Sequence, residues 1–173
     1  MSAVRRPSLP VRSLTVAELD QVMHIEVQAY EFPWSRGNFI DSLAAGYWAQ
    51  GLFGTDGNFA SNLLAYAWAM PGAGEVHLLN LTVAPALQGR GHARLMIDHL
   101  VAWSRNLPAD KLWLEVRPSN QRAIFLYECY GFQTVGRRPG YYPAAHGKRE
   151  DATVMSLDLI ASPPGSRHSE ALQ

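Results

Sequence analysis

Three groups of residues in the second half of the chain have the types and spacing needed for chemistry. The first is a turn with two glycines, residues 88–93, between an apolar segment and a segment with helical spacing. The second is the carboxylate of Glu115 within an apolar segment, and the third is the phenol of Tyr127. A glycine turn before a helix suits an anion, and the two side chains can accept and donate a proton.

The turn has the features of an anion-binding site. Gly89 and Gly91 allow the backbone to approach a ligand and to adopt a positive φ, while the first N–H groups and the dipole of the following helix attract negative charge. No Gly-Lys-Ser/Thr sequence completes a P-loop, and Arg94 stands where a dinucleotide fingerprint requires Gly or Ala. A plain helix-start turn is the alternative.

Glu115 lies in a predicted strand, residues 111–117, where Trp113, Glu115 and Arg117 share one face. A carboxylate among apolar residues is costly to bury without a partner or a function, and desolvation makes a carboxylate a stronger base. We therefore predict a general base at Glu115. The alternative is an ion pair with Arg117 or another cation.

The next predicted helix carries a stripe of Asn120, Ala123, Ile124 and Tyr127 at helical spacing. An amide and a phenol among small and apolar side chains suit a ligand groove. A half-buried Tyr127 with its hydroxyl in water is the alternative for the tyrosine. Asn120 can also be the N-cap of the helix, and this role is compatible with ligand contact.

Apolar periodicity and turn signals predict the elements that position these groups. The spacing predicts strands at 11–14, 76–83, 111–117, 132–138 and 153–160, and a loop at 141–151. A turn at 54–58 between two short apolar runs predicts a hairpin, whose second arm is 63–70. Helices are predicted after Thr15, after Ser35, and over 91–106 and 119–130. The order β, α, α, β, β, β, α, β, α, β, β predicts a mixed α/β fold. Helices would pack on a mostly antiparallel sheet with a parallel central pair.

Length and composition limit the possible classes of protein. The 173 residues, 47% hydrophobic and 17% charged, predict one globular domain over 1–160 and a disordered tail over 161–173. Fifteen basic and fifteen acidic residues cancel, which argues against a nucleic-acid partner. We expect no membrane span and no secretory signal, hence a cytoplasmic protein. The single cysteine, Cys129, is interpreted as a packing thiol.

A metal centre is not expected. His92 and His99 lie seven residues apart on one predicted helix, and no third ligand is apparent.

Taken together, the turn, the Leu-Trp-Leu-Glu-Val-Arg strand and the helix from Asn120 to Tyr127 resemble the GNAT family of N-acetyltransferases. Its turn pattern is matched by Gln88, Gly91 and Ala93. The resemblance implies acetyl-coenzyme A as co-substrate, Glu115 as general base and Tyr127 as general acid. It also implies acetyl and pantetheine contacts at Leu81, Thr82 and Val83, pyrophosphate contacts at Gln88, Gly89, Arg90, Gly91, His92, Ala93 and Arg94, and a coenzyme contact at Asn120.

Three further sequence motifs resemble those of one subfamily, the RimI group of bacterial ribosomal-protein-alanine N-acetyltransferases. They are Phe-Pro-Trp-Ser at 32–35, Tyr-Tyr-Pro at 141–143 and Arg-Glu-Asp-Ala at 149–152. This resemblance implies acetylation of the N-terminal alanine of a small-subunit ribosomal protein. Residues 30–34 and 141–151 would frame the peptide mouth, and their acidic content, Glu31, Glu150 and Asp151, fits a basic peptide. Pro139-Gly140 lengthens the segment before Tyr141 relative to the subfamily, next to the expected peptide-binding loop.

The chemistry of the amine is consistent with this reading. An α-amine has a pKa near 7.8, against roughly 10.4 for lysine, so a carboxylate acting through water is sufficient. One alternative is a GNAT enzyme for another amine, such as a protein lysine, another protein N-terminus or a small molecule. The other is a non-catalytic module that binds coenzyme A or assists ribosome assembly.

Overall fold

A computed structural model describes residues 9–55 and 62–160. The strands are β1 (Val11–Ser13), β2 (Trp48–Phe53), β3 (Leu63–Pro71), β4 (Gly74–Val83), β5 (Ala109–Val116), β6 (Gln133–Pro143) and β7 (Arg149–Asp158). The helices are α1 (Leu19–Ala29), α2 (Arg36–Ala44), α3 (His92–Ser104) and α4 (Gln121–Tyr130). Their order is the predicted one. The predicted turn at 54–58 lies partly, and the tail 161–173 wholly, outside the described residues.

The strands form one seven-stranded sheet in the order β1-β2-β3-β4-β5-β7-β6. The pair β4–β5 is parallel and every other neighbouring pair is antiparallel. The predicted mixed fold with a parallel central pair is therefore confirmed. None of the helices in the described part of the chain is long and apolar enough to cross a bilayer.

Helices cover both faces of the sheet. One buried cluster holds residues of α3 and α4, including Met96, Ile97 and Tyr127. The other holds residues of α1 and α2 packed on Tyr66 and Trp68 of β3. Both predicted N-terminal signals form capping boxes. Ser35 caps α2, and Thr15 caps the 3-10 turn Val16–Glu18, which leads directly into α1.

The prediction for residues 132–151 was partly wrong. The loop between β6 and β7 is only residues 144–148, and most of 141–151 is strand. The register between the two strands slips between Arg138 and Tyr142, and Gly140 has a φ of 56°. Pro139-Gly140, which follows the predicted end of the strand at Arg138, is thus an irregularity within an edge strand, where a proline is tolerated. Pairing resumes at Tyr142, opposite Glu150.

The sheet opens in its centre, between β4 and β5. Their pairing runs only as far as Leu78 and Leu114, although the strands continue to Val83 and Val116. At the same point the register between β3 and β4 skips Leu79. A bulge of this kind bends a strand and interrupts its ladder. The two strands therefore diverge and leave a cleft beneath α4.

Candidate active site

Two cavities meet at this cleft. The turn cavity, bordered by residues 88–94, has a volume of about 510 Å³. The carboxylate cavity, which contains Glu115, has a volume of about 480 Å³. Both are lined by Tyr30, Leu81, Asn120, Ala123 and Tyr127. A molecule in one cavity can therefore touch a molecule in the other beside Tyr127.

The turn cavity gathers most of the residues predicted to contact the coenzyme. Its lining includes Leu81, Thr82, Val83, Gln88, Gly89, Gly91, His92, Ala93, Arg94 and Asn120. Arg90, the remaining predicted contact, is not among the lining residues. Sequence reasoning missed Arg122 and Phe125, which line the cavity from α4. Their helical spacing relative to Asn120 did not distinguish them from ordinary surface residues.

The conformation of the turn explains its glycines. Gly89 has a φ of 79°, and Gly91, the N-cap of α3, has a φ of 86°. A Cβ built on Gly89 would lie 2.7 Å from the guanidinium of Arg122, so the turn leaves room for that cation. Burial, with the nearby charge of Arg90, lowers the pKa of His92.

The donor set of the turn cavity suits a diphosphate. The first N–H groups of α3 have no partner within the helix, and Arg94 and Arg122 supply positive charge beside them. The residues present therefore fit the pyrophosphate of coenzyme A.

Tyr127 lies at the junction of the two cavities. Its side chain is buried, and burial, followed by the nearby phenols of Tyr30 and Tyr142, raises its pKa far above the ordinary value. Tyr127 is therefore protonated throughout the neutral range. Asn120 caps α4 by accepting a hydrogen bond of 3.1 Å from the N–H of Ala123, and it also lines both cavities.

The carboxylate cavity has aromatic walls. Its lining includes Phe32, Pro33, Trp34, Tyr141, Tyr142 and Pro143. These residues belong to the loop after α1 and to the end of β6, the two segments predicted to frame a peptide.

Glu115 is buried and paired. Its Oε2 lies 2.5 Å from Nε2 of His77, and its Oε1 lies 3.2 Å from Nε of Arg138. The predicted alternative partner, Arg117, instead pairs with Glu150 at 3.1 Å. Sequence reasoning missed His77, which is 38 residues away along the chain and becomes a neighbour only through the β4–β5 pairing.

A second buried carboxylate, Glu26 of α1, anchors the loop that walls the carboxylate cavity. It accepts hydrogen bonds from the N–H of Trp34 at 2.8 Å and from the hydroxyl of Tyr66. The amide of Asn80 also points to it, at 3.3 Å. Such charge-assisted bonds are stronger than neutral ones, so they hold the loop against β3 and β4.

Tyr30 extends the same hydrogen-bonded group into the junction of the cavities. Its hydroxyl lies 2.8 Å from Oγ1 of Thr82, which donates to Asn80. Burial raises the pKa of Tyr30 to about 12. Its phenol is therefore neutral at physiological pH.

Two acidic residues predicted at the peptide mouth have structural partners. Glu150 accepts hydrogen bonds from the N–H of Ser119 at 2.9 Å and from Arg117. Asp151 pairs with Arg137 and accepts from the N–H of Gly140. Neither Glu150 nor Asp151 belongs to the described residues that line the carboxylate cavity.

The interpretation of Cys129 as a packing thiol was wrong. The thiol is exposed and lies at the wall of the turn cavity. The reason is that Cys129 lies on the side of α4 away from the core, whereas Tyr127 points inward. In residues 9–55 and 62–160 no three His, Cys, Asp or Glu side chains come close enough to hold a metal ion.

Comparison with known proteins agrees with this geometry. The sequence model of the acetyltransferase (GNAT) family matches residues 19–132. A [ribosomal protein bS18]-alanine N-acetyltransferase from Salmonella typhimurium is 36% identical over 146 residues, which cover 84% of this chain and 95% of the relative.

Solved structures give the same result. The crystal structure of the ribosomal-protein-S18-alanine N-acetyltransferase from Escherichia coli superposes with a TM-score of 0.77 at 33% identity, covering 92% of this chain and 99% of that one. Arabidopsis thaliana NAA60 in complex with acetyl-CoA has a TM-score of 0.75 at 19% identity, covering 87% and 98%, and shares the fold. This chain therefore belongs to the GNAT family and is an N-acetyltransferase that uses acetyl-coenzyme A.

Proposed function

We propose that this enzyme acetylates the N-terminal α-amine of a protein that begins with alanine, namely a ribosomal protein of the bS18 type. One observation carries the proposal. A cavity with aromatic walls and a buried carboxylate opens beside Tyr127, opposite the turn that suits the coenzyme. The identity to enzymes named for bS18-alanine acetylation over most of both chains supports the choice of substrate.

Glu115 is the proposed proton acceptor. The N-terminal ammonium must lose a proton before its nitrogen can attack the thioester carbonyl. Glu115 lines the cavity in which that nitrogen would lie, and it takes the proton through a water molecule. Since a fair fraction of α-amines is already neutral at pH 7, a carboxylate is sufficient for this step.

Tyr127 is the proposed proton donor to the departing sulfur. A phenol with a raised pKa does not give its proton fully to a thiolate, which is the weaker base. Tyr127 therefore donates a hydrogen bond as the C–S bond breaks. The second proton of the attacking nitrogen passes by way of the Tyr127 hydroxyl to the sulfur, so that coenzyme A leaves as a neutral thiol and Tyr127 stays protonated. An N–H group of β4 beyond Leu78, where the pairing with β5 ends, would polarise the thioester carbonyl.

The proposal also concerns the setting of the enzyme. The substrate would be a ribosomal protein in the cytoplasm, with no direct contact to nucleic acid or membrane. Residues 1–160 would form one domain. Residues 30–34 and 141–151 would frame the peptide.

Acetylation of synthetic peptides tests the proposal. One peptide begins Ala-Arg with a free N-terminus, and a second carries a blocked N-terminus and an internal lysine. We expect acetylation of the free N-terminus alone. Glu115→Gln and Tyr127→Phe should each lower kcat by about 10²-fold, since each removes one group that moves a proton.

Matched substitutions on α4 serve as controls. Glu128→Gln and Tyr130→Phe make the same chemical changes outside both cavities and should retain wild-type kcat. Acetylation of the lysine peptide would assign the enzyme to another amine. Full activity of Glu115→Gln would reject the role of the carboxylate.

A further inference from the structure

We propose that His77 and Glu115 share one proton and act as a single proton acceptor. The inference rests on the proposed role of Glu115 in acetyl transfer. It adds a residue from β4 to a base that would otherwise be a lone carboxylate on β5.

The geometry of the sheet holds the two side chains together. His77 is paired with Trp113 across the parallel strands, and Glu115 follows two residues later on the same face of β5. The imidazole ring stacks on Trp113 with 3.6 Å between ring centres and an angle of 11° between planes. This stacking fixes the ring so that Nε2 lies 2.5 Å from Oε2 of Glu115.

Burial makes this contact significant. Only 12% of the His77 side chain and 5% of the Glu115 side chain are exposed. Hydrogen bonds to a charged group are strong where water is excluded, and removal of one partner leaves the other unsatisfied. The two groups therefore form one hydrogen-bonded unit, since the loss of either one leaves the other without this partner.

Arg138 explains why Glu115 needs this partner. Its guanidinium lies 3.2 Å from Oε1, and a nearby cation stabilises the carboxylate in its charged form. The imidazole adds a basic nitrogen on the other oxygen without removing Arg138.

The proton balance of the step is simple. Before the reaction the pair consists of a neutral imidazole and a carboxylate. One proton leaves the substrate ammonium and passes through water to the pair. The pair then consists of an imidazolium beside a carboxylate. The freed amine forms the C–N bond, and the pair returns its proton to solvent after the product departs.

Other ionisable side chains surround the pair. Those that line the same cavity are Glu26, Tyr30, Arg117, Tyr127, Tyr141 and Tyr142. Glu75 and Lys111 precede the pair on the same face of β4 and β5. All of them are unchanged in the variants below, so differences between variants report on His77 and Glu115.

A first experiment needs no substrate. In NMR spectra of the whole labelled protein, we expect an imidazole N–H proton shifted far downfield, because the proton is shared with a carboxylate. The signal should be absent in His77→Gln and in Glu115→Gln and present in His99→Gln, which changes an exposed histidine of α3. A wild-type spectrum without the signal, or a signal retained in Glu115→Gln, overturns the shared proton even if peptide acetylation proceeds as proposed.

A second experiment measures kcat against pH on the preferred amine substrate. Glutamine at position 77 keeps an N–H donor for Glu115 and cannot accept a proton. His77→Gln should lower kcat by about tenfold or more, leave the KM for acetyl-coenzyme A unchanged, and move the acidic fall of kcat to lower pH. The fall occurs because a protonated pair cannot accept another proton.

The double variant completes the test. If the pair acts as a unit, His77→Gln combined with Glu115→Gln should be no slower than Glu115→Gln alone. Wild-type kcat and an unchanged pH profile in His77→Gln would show that the imidazole only supports Glu115. Multiplicative losses in the double variant would show two independent roles. Either result rejects the inference.

Discussion

Glu150 shows how a charged residue near the site can serve structure rather than substrate. Hydrogen bonds from Ser119, and then the contact with Arg117, hold the pKa of the Glu150 carboxyl below its ordinary value of 4.5. These contacts tie the segment before α4 to β7. Asn120, which lines both cavities, follows directly after Ser119, so Glu150 supports the site from outside.

We expect Glu150→Gln to be less stable than wild type at pH 7, since glutamine keeps the acceptor but loses the charge. A lowered folded-state pKa contributes stability that is present above the unfolded value and lost as pH falls through the folded value. The difference in stability between the variant and the wild type should therefore shrink as the pH falls below about 4.5. Urea unfolding at several pH values measures it.

Glu128→Gln is the matched control for this prediction, because Glu128 is an exposed carboxylate on α4. Its free energy of unfolding should differ little from that of the wild type at any pH. An equal difference for Glu150→Gln at pH 7 and pH 3 would mean that the ion pair does not account for the stability.

At the scale of elements, the glycine turn and the start of α3 form one unit. Gly91 has a φ of 86°, and no atom lies within 4 Å of the position that a Cβ would take, so a side chain there costs backbone strain without a clash. We expect Gly91→Ala to lower the free energy of unfolding by about 1 kcal/mol. Because Gly91 lines the turn cavity, the added methyl should also raise the KM for acetyl-coenzyme A several-fold.

Gly46, just after α2, provides an internal control for the turn. Its φ is 76°, it too has open space around its Cβ direction, and it lines neither cavity. Gly46→Ala should show the same loss of stability with an unchanged KM. Equal KM values for acetyl-coenzyme A in Gly91→Ala and Gly46→Ala would mean that the turn does not contribute to coenzyme binding.

The order of elements was predictable because its signals are local. Capping residues, glycine turns and apolar periodicity lie within a few residues of the elements that they define, and Thr15, Ser35 and Gly91 are at the predicted helix starts. The end of β6 was mispredicted for the same reason. Pro139-Gly140 has the local signal of a turn, but pairing with β7 absorbs it as an irregularity.

The partners of the site residues were less predictable because they depend on contacts between distant segments. The sequence indicated Glu115 and offered an ion pair with Arg117 or another cation as the alternative role. Its actual partners are His77 from β4 and Arg138 from β6, on opposite sides of β5 in the sheet. Arg122 looked like a surface residue of α4 until the turn was placed beneath it. The chemistry of a side chain can be inferred from the sequence, whereas the residues that surround it are known only once the fold is known.

At the scale of the whole molecule, the coenzyme should stabilise the fold. The turn cavity is bordered by the end of α1, by β4, by α3 and by α4, so a ligand there bridges elements from both layers of helices. A ligand that binds only the folded state at 100 times its Kd adds about 2.7 kcal/mol, which for a chain of this size raises Tm by roughly 5–10 °C. Thermal unfolding with and without acetyl-coenzyme A measures the shift.

The same measurement separates the two cavities. Glu115→Gln, which changes only the carboxylate cavity, should show the full rise in Tm, whereas Gly91→Ala should need more ligand to reach it. Pantetheine, which lacks the phosphates, should give a smaller rise because it cannot use the N–H groups of α3 or the charge of Arg94 and Arg122. An equal rise with pantetheine would mean that binding does not depend on the anion site. The turn would then be a structural feature of the helix start.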